Sequence, residues 1–199
     1  MANENVKSII EALLFAGNEP VRPGEIREII ASAPPLGDVA IRGLIDELKD
    51  EYCKSGRSFT IAEIAGGYRL QTRPEYWDWI SKLRAAPSRR KLSAPALETL
   101  AIAAYRQPIT KAEIEAIRGG NIDGVLENLM DRELIEPKGR KQAIGKPHLY
   151  GTTKKFLEHF GLRTIKDLPE IEELKRAAAE QVSQSAVPAP APAEQKPLT

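Results

Sequence analysis

Apolar residues recur at helical spacing in both halves of the chain. In the first half they fall at positions i, i+3, i+4, i+7 and i+8, and the same offsets return after the middle of the sequence. This spacing places them on one face of an amphipathic helix. The two stripes are Val6, Ile9, Ile10, Leu13 and Leu14, and then Leu97, Leu100, Ala101, Ala104 and Tyr105. A further apolar stripe predicts a third helix in each half: Ile41, Leu44, Ile45 and Leu48, and then Ile122, Val125, Leu126, Leu129 and Met130.

The segments that connect the first two helices also match between the halves. The first reads "NEPVRPGEIREII" and the second reads "RQPITKAEIEAI". Pro20 aligns with Pro108, and Val21 aligns with Ile109. Because the same elements follow in the same order in each half, the chain is predicted to contain two copies of one structural plan.

Several helix starts are visible in the sequence. Thr110 and Glu113 have the spacing of a capping box, in which each side chain bonds the other residue's backbone N–H. Pro23 suits the first turn of a helix, where its missing N–H is not needed. Asp38 and Asn121 are predicted to be the N-caps of the two third helices.

Each half then turns to residues typical of β-strands. "SFTIAEIAGGYRLQT" predicts two strands around Gly66–Gly67, and the second half predicts a strand from Leu134 and a return strand that ends near Tyr150. A short aromatic helix, "EYWDWISKL" or "KKFLEHFGL", closes each half. Three helices followed by a hairpin make a winged helix-turn-helix. The predicted fold class is therefore mainly α with small β-hairpins, arranged as two tandem winged-helix domains.

The predicted domain boundaries follow from this repeat. Residues 1–84 form the first winged-helix domain, 85–92 a basic linker from "RAAPSRRK", and 93–163 the second winged-helix domain. Residues 164–199 are predicted to form one more helix and then a disordered tail. That tail, "VPAPAPAEQKPLT", alternates Pro with Ala and contains no aromatic residue, so it buries too little apolar surface to fold.

Composition narrows the class of protein. The formal net charge is only +1, which argues against a surface built throughout to hold nucleic acid. Cys53 is the single cysteine, so no intrachain disulfide can form and a reducing compartment is expected. No apolar run approaches the roughly 20 residues that cross a bilayer. We therefore expect a soluble, cytoplasmic protein.

Candidate groups for catalysis are scarce. His148 lies in the second hairpin and His159 on the closing helix, and neither has a Cys or carboxylate partner at metal-ligand spacing. The glycine-rich stretch "GRKQAIGKPHLYGTT" lacks the Gly-Lys-Ser/Thr ending of a nucleotide-binding P-loop. The sequence thus predicts no enzyme activity, no cofactor and no metal site.

The same stretch leaves two binding interpretations, DNA or protein. Winged helices that bind DNA place the third helix in the major groove and contact phosphates with the hairpin, or wing. Lys138, Arg140, Lys141 and Lys146 are suitable for such phosphate contacts. The third helices are not, because "DVAIRGLIDELKDEY" and "NIDGVLENLMDRE" carry many more acidic than basic residues. This charge favours protein binding, with weak non-specific DNA contact through the wing and the linker as a secondary possibility.

The first closing helix carries the best anchors for a protein contact. Tyr76, Trp77 and Trp79 are large and close together, and such residues dominate many interfaces. They predict self-association through the first domain. The alternative is that they only cap the core of that domain.

One long stretch resembles a known family. "LSAPALETLAIAAYRQPITKAEIEAIRG", "DGVLENLMDRELIE" and "GRKQAIGKPHLYGTTKKFLEHFGL" follow one another from Leu92 to Leu162 and look like segregation and condensation protein B, ScpB. "IIEALLFAGNEPV" and "GGYRLQT" in the first half are similar to the same family, though less closely. The resemblance covers most of the chain and leaves out the Pro/Ala tail.

The resemblance implies a non-catalytic subunit of a bacterial condensin-like complex. Such a subunit forms a homodimer through its first winged helices and binds the kleisin ScpA, whose ends bridge the SMC ATPase. The complex condenses and segregates chromosomes, so the protein is expected at the nucleoid. The rival prediction from another class is a winged-helix transcription regulator that binds DNA.

Site residues carried over from the resemblance lie in the second hairpin. Contacts with the partner are expected from Arg140, Lys146, His148 and Tyr150. Residues expected to shape the hairpin are Gly139, Gly145, Pro147, Gly151 and Thr152.

Overall fold

The computed structural model describes residues 2–30, 36–83 and 92–170. It contains two successive winged helices, here called the first and second modules, and both lie within one compact unit, Met1–Lys166. The first module consists of α1 (Ala2–Ala16), α2 (Pro23–Ile30), α3 (Asp38–Lys54), β1 (Phe59–Ile64), β2 (Gly67–Thr72) and α4 (Trp77–Leu83). The second consists of α5 (Ala94–Arg106), β3 (Ile109–Thr110), α6 (Lys111–Arg118), α7 (Asp123–Asp131), β4 (Ile135–Arg140), β5 (His148–Thr152) and α8 (Lys154–Phe160). The predicted fold class, mainly helical with small antiparallel sheets, is confirmed.

Two of the predicted helix starts are confirmed. The Thr110 side chain accepts from the backbone N–H of Glu113, whose carboxylate accepts from the backbone N–H of Thr110, so the capping box is complete. Pro23 is the first residue of α2. The first turn of a helix leaves backbone N–H groups without a partner inside the helix. The capping box bonds one such group in α6, and Pro23 has no N–H to satisfy in α2.

The two predicted N-caps of the third helices are wrong. Asp38 is already the first helical residue of α3, and Gly37 occupies the N-cap without a side-chain bond. Ile122 occupies the N-cap of α7. Asn121 precedes it, and its side-chain amide oxygen Oδ1 accepts from the Asp123 N–H, which forms an Asx turn instead of a cap.

The first core forms where α1, α2 and α3 pack on the hairpin. All four apolar positions predicted for α3 are buried, and Ile10 and Leu14 of α1 are buried against them. Tyr52, at the end of α3, stacks edge-on against Phe59 of β1 with 5.1 Å between ring centroids. Its hydroxyl donates to Glu11 of α1 at 2.7 Å, so a polar tip is satisfied at the edge of the core.

The second core is built from smaller residues than the pattern predicted. The stripe proposed for α5 is partly wrong, because Leu97 is 46 % exposed and Ala101 is also exposed. The buried face of α5 consists instead of Ala96, Thr99, Leu100, Ala103 and Ala104. Small side chains let α6 and α7 pack closely on α5, and Leu126, Leu129 and Ile114 fill the space between them.

The sheets contain one strand that the sequence analysis missed. In the first module β1 pairs with β2, and the turn between them is formed by Ala65 and Gly66. In the second module the order is β3-β5-β4, so the two-residue strand β3 adds a third member. Val21 makes the matching single bridge to Tyr68 in the first module. The alignment of Val21 with Ile109 was the signal for this strand.

The two modules contact each other directly. The backbone N–H of Ala65, at the tip of the first hairpin, donates to the carbonyl of Leu162 at 2.9 Å. Lys154 at the start of α8 forms an ion pair with Glu19 at 3.0 Å. The predicted linker lies almost entirely in 84–91 and the predicted tail in 171–199, which are outside the described residues, so the domain boundaries stay a prediction.

Candidate functional site

The second wing, residues 135–152, brings the predicted partner-binding side chains together. Arg140 on β4 lies opposite His148 on β5. The Arg140 guanidinium donates to the backbone carbonyl of Lys146 at 3.4 Å, so the Arg140 side chain bonds the backbone of the wing's tip. The His148 and Tyr150 rings are 6.3 Å apart, as expected for side chains two residues apart on one face of a strand.

The tip of this wing is held by its own backbone bonds. Lys141 N–H donates to the Pro147 carbonyl, and Lys146 N–H donates to the Ala143 carbonyl, both at 2.9 Å. Gly145 has φ +80°, a left-handed conformation that a side chain would strain. The wing therefore presents Ile144, which is fully exposed, on an ordered turn.

The base of the wing is fixed by Gln107, a residue that the sequence analysis missed. Its side-chain oxygen accepts from the Thr152 backbone N–H at 2.7 Å, and its nitrogen donates to the Thr152 hydroxyl at 3.0 Å. A Cβ at Gly151 would lie 2.8 Å from that same oxygen and 2.9 Å from Lys138 Cγ. Gly151 and Thr152 both lie against the Gln107 side chain at the base of the wing, and their shaping role stays a prediction. In the repeat, Gln107 precedes Pro108 just as Glu19 precedes Pro20. This alignment was the signal in the sequence that could have pointed to Gln107.

An ion pair ties the wing to the helical part of the module. Lys141 on the wing contacts the carboxylate of Glu113 on α6 at 2.5 Å. This contact, together with the hydrogen bonds from Thr110, lowers the pKa of Glu113 from its ordinary 4.5 to about 2. One carboxylate thus both caps α6 and holds the wing.

We expect Glu113→Gln to make the module less sensitive to acid. A carboxyl whose pKa is lowered on folding stabilises the fold fully above its ordinary pKa of 4.5 and loses that contribution as the pH falls toward about 2. Glutamine keeps the cap but loses the charge. At pH 5 the wild type should therefore have a higher free energy of unfolding than the variant, and this difference should shrink as the pH falls to 2. Urea unfolding at each pH measures it.

Glu127→Gln is the matched control. Glu127 is an exposed acid of α7 that forms no ion pair among the described residues. The difference in free energy of unfolding between Glu127→Gln and wild type should change less over the same pH range. A constant difference for Glu113→Gln would show that the ionised Glu113 carboxylate does not stabilise the fold.

The charge of the surface changes sharply between the wing and the third helices. No acidic residue occurs from Pro137 to Tyr150. A concave surface of about 540 Å³ on the wing is lined by Arg140, Lys141, Gln142, Ala143 and Lys146. The exposed acids of the third helices are Asp46, Glu47, Asp50 and Glu51 on α3 and Asp123, Glu127 and Asp131 on α7. Basic residues accordingly mark the wing, and acidic residues mark the helices that a DNA-binding winged helix inserts into the major groove.

The aromatic residues of α4 do not cap the first core. Trp77 is 63 % exposed and Trp79 is 66 % exposed, and no residue of α4 is buried. Tyr76, just before the helix, is 38 % exposed and its ring lies 6.4 Å from that of Trp79. A seven-residue helix of this kind has little intrinsic stability. Within the part of the chain that the structure describes, these side chains form an exposed apolar surface beside the first core.

The described residues show neither a grouped set of metal ligands nor a membrane-spanning helix. Both histidines are exposed, and in 2–30, 36–83 and 92–170 no three His, Cys, Asp or Glu side chains are grouped to hold a metal ion. None of the helices in these ranges is long and apolar enough to cross a membrane.

Comparison with known proteins gives one consistent family. The family model described as "Segregation and condensation complex subunit ScpB" matches residues 8–171. The chain is similar to segregation and condensation protein B of Symbiobacterium thermophilum, with 51 % identity over 83 % of this chain and 74 % of that protein. It is 43 % identical to the protein of the same name from Syntrophotalea carbinolica over 92 % of this chain and 90 % of that one. A crystal structure of a conserved hypothetical protein from Chlorobium tepidum is 40 % identical over 81 % of this chain and 98 % of that chain, with a TM-score of 0.41.

Proposed function

This chain belongs to the family of the segregation and condensation complex subunit ScpB, and we propose that it acts there as a dimeric, non-catalytic scaffold. Its partner is the kleisin ScpA, through which it joins the SMC ATPase. In this role it supports chromosome condensation and segregation at the nucleoid, in the cytoplasm. Family membership supports the complex, and the surfaces described above support the particular contacts.

The observation that carries the proposal is the acidic surface of both third helices. A duplex presents its strongest negative potential in and around its grooves. Asp50 on α3 and Glu127 and Asp131 on α7 are exposed and form no ion pair with the described residues, so they would be repelled there. Protein partners impose no such penalty, so the exposed apolar and basic surfaces serve polypeptide contacts.

The second wing supplies the kleisin contact in this proposal. Arg140, Lys146 and His148 form one exposed basic group, and Tyr150 adds a half-buried ring beside them. The wing's other cations are already paired, Lys138 with Glu136 and Lys141 with Glu113. Arg140 and Lys146 form no ion pair with the described residues, so their charge remains available to a partner.

Exchanging Arg140 and Lys146 together for Glu is expected to weaken ScpA binding about 10-fold or more, because it reverses the charge of two unpaired cations in the proposed contact. Thermal unfolding should change little, since exposed unpaired charges contribute little to stability. Copurification of the purified double variant with ScpA, followed by isothermal titration, measures both the complex and its affinity.

Lys54→Glu with Arg57→Glu makes the same charge change on the first module and is the matched control. It should leave ScpA binding close to wild type. Equal weakening by the control would assign the effect to overall charge, and loss of folding in the wing variant would make Arg140 and Lys146 structural residues.

Direct contact with DNA is a secondary part of the proposal. It is weak, independent of base sequence and made by wing cations to phosphate, so it should fall steeply as salt is raised. The rival function, a transcription regulator, requires saturable and sequence-dependent binding of a duplex at physiological salt.

A further inference from the structure

A cleft lies between the two modules, and the proposed scaffold role does not use it. Its volume is about 480 Å³, which is in the range of sites that hold a small ligand or part of a chain. The first module contributes the tip of its hairpin, where Ala65 is only 8 % exposed although hairpin tips are usually solvated. The second module contributes the base of its wing and the segment around α8.

Both modules place cations in this cleft. Arg22 comes from the segment before α2, Lys138 from β4, Lys154 from the start of α8 and Arg163 from the segment after α8. No acidic residue is among the lining residues. Cations from four separate segments therefore face one space, which raises the positive potential inside it.

Lys154 and Lys138 are each paired with a carboxylate. Lys154 is paired with Glu19 at 3.0 Å and with Glu158 at 3.4 Å, which raises the pKa of Lys154. Lys138 is paired with Glu136. Arg22 forms no ion pair among the described residues; its backbone N–H donates to the Glu25 carboxylate, and its backbone carbonyl accepts from the Ile26 N–H. An anion in the cleft would face Arg22 from the first module and the cations of the second module at once.

We propose that this cleft binds an acidic polypeptide segment that alternates carboxylates with apolar side chains. The charge of the lining selects carboxylates. Leu157 and Ile165 add apolar surface, which suits intervening aliphatic residues and not a sugar-phosphate backbone. The inference rests on the proposed function only in taking the ligand to be a polypeptide.

A duplex fits this cleft poorly. Double-stranded DNA carries its phosphates on the outside of a helix whose major groove alone is about 12 Å wide. Such a cylinder is much wider than a space of about 480 Å³. An extended peptide instead enters and places successive side chains on opposite sides.

The test uses the full chain and a short fluorescent peptide in which Glu alternates with Leu, with a Gln–Leu peptide as the charge control. Fluorescence anisotropy should show the Glu peptide binding about 10-fold tighter than the Gln peptide at low salt, and less tightly as salt screens the charges. Arg22→Glu alone should weaken binding about 3-fold, and Arg22→Glu with Arg163→Glu about 10-fold or more. Lys54→Glu with Arg57→Glu should have little effect.

The inference is overturned if the two peptides bind alike, if the Arg22 variant binds as wild type, or if a short duplex displaces the peptide in a way that depends on Arg22. Arg22 is exposed, so its single variant keeps the test valid if the double variant unfolds. ScpA copurification with the same variants separates the two proposals: a negative peptide result with normal ScpA binding removes the cleft site and leaves the scaffold role intact.

Discussion

Replacing Trp77 and Trp79 together by alanine is expected to convert the protein from a dimer to a monomer at micromolar concentration. The two side chains are 63 % and 66 % exposed on a helix with no buried residue, so they have little role inside their own module. Truncating a central aromatic residue of an interface commonly costs 2 kcal/mol or more, and two should raise the dimer dissociation constant about 100-fold or more. Light scattering coupled to gel filtration measures the molar mass directly.

Ile117→Ala with Ile144→Ala is the matched control for that experiment. Both residues are exposed apolar side chains, 55 % and 105 %, but they lie on the second module. This variant should remain dimeric. The proposed dimer contact is wrong if the Trp variant keeps the wild-type mass, or if the wild type is already monomeric.

Leu129→Ala is expected to lower the free energy of unfolding of the second module by about 2–5 kcal/mol. Leu129 on α7 is 0 % exposed and lies against a face of α5 made of small side chains. Removing its methyl groups leaves a cavity that close-packed neighbours cannot fill. Urea unfolding followed by circular dichroism gives the change in free energy.

Leu97→Ala separates the observed packing of α5 from the predicted one. The hydrophobic pattern placed Leu97 in the core, whereas the structure leaves it 46 % exposed. Truncating Leu97 should therefore lower the free energy of unfolding by no more than about 1 kcal/mol. A loss as large as that of Leu129→Ala would mean that the predicted stripe, and not the observed one, faces the core.

The error in α5 has a physical cause. A periodicity argument ranks large apolar residues above small ones, but a helix that packs closely on two others needs Ala at its contact face. Ala96, Ala103 and Ala104 therefore lie inside. Thr99 is buried with them because its hydroxyl donates to the Pro95 carbonyl at 2.9 Å, which satisfies the polar group within the helix.

Local signals were reliable where one short segment contains all the interacting groups. The capping box of Thr110 and Glu113 is formed within four consecutive residues, and so it was predictable. The roles of Lys141 and Gln107 were not, because each bonds a residue distant in sequence, Glu113 and Thr152 respectively. The predicted cap at Asp38 shows the usual uncertainty of one residue in helix boundaries.

No sequence pattern predicted the contact between the modules. In the sequence Ala65 is an ordinary turn residue. In the structure its backbone N–H donates to the carbonyl of Leu162 in the other module. The pairing of Glu19 with Lys154 joins residues that no periodicity connects. The repeat predicted two similar modules but gave no information on how their surfaces meet.

The most direct test compares protein and DNA ligands for the purified wild-type chain in one buffer at physiological salt. The central claim is that acidic third helices direct these modules to polypeptide. It predicts a stable complex with ScpA by light scattering, and duplex binding that is weak and independent of base sequence. Failure to bind ScpA, together with saturable binding of one duplex sequence over others, would contradict it.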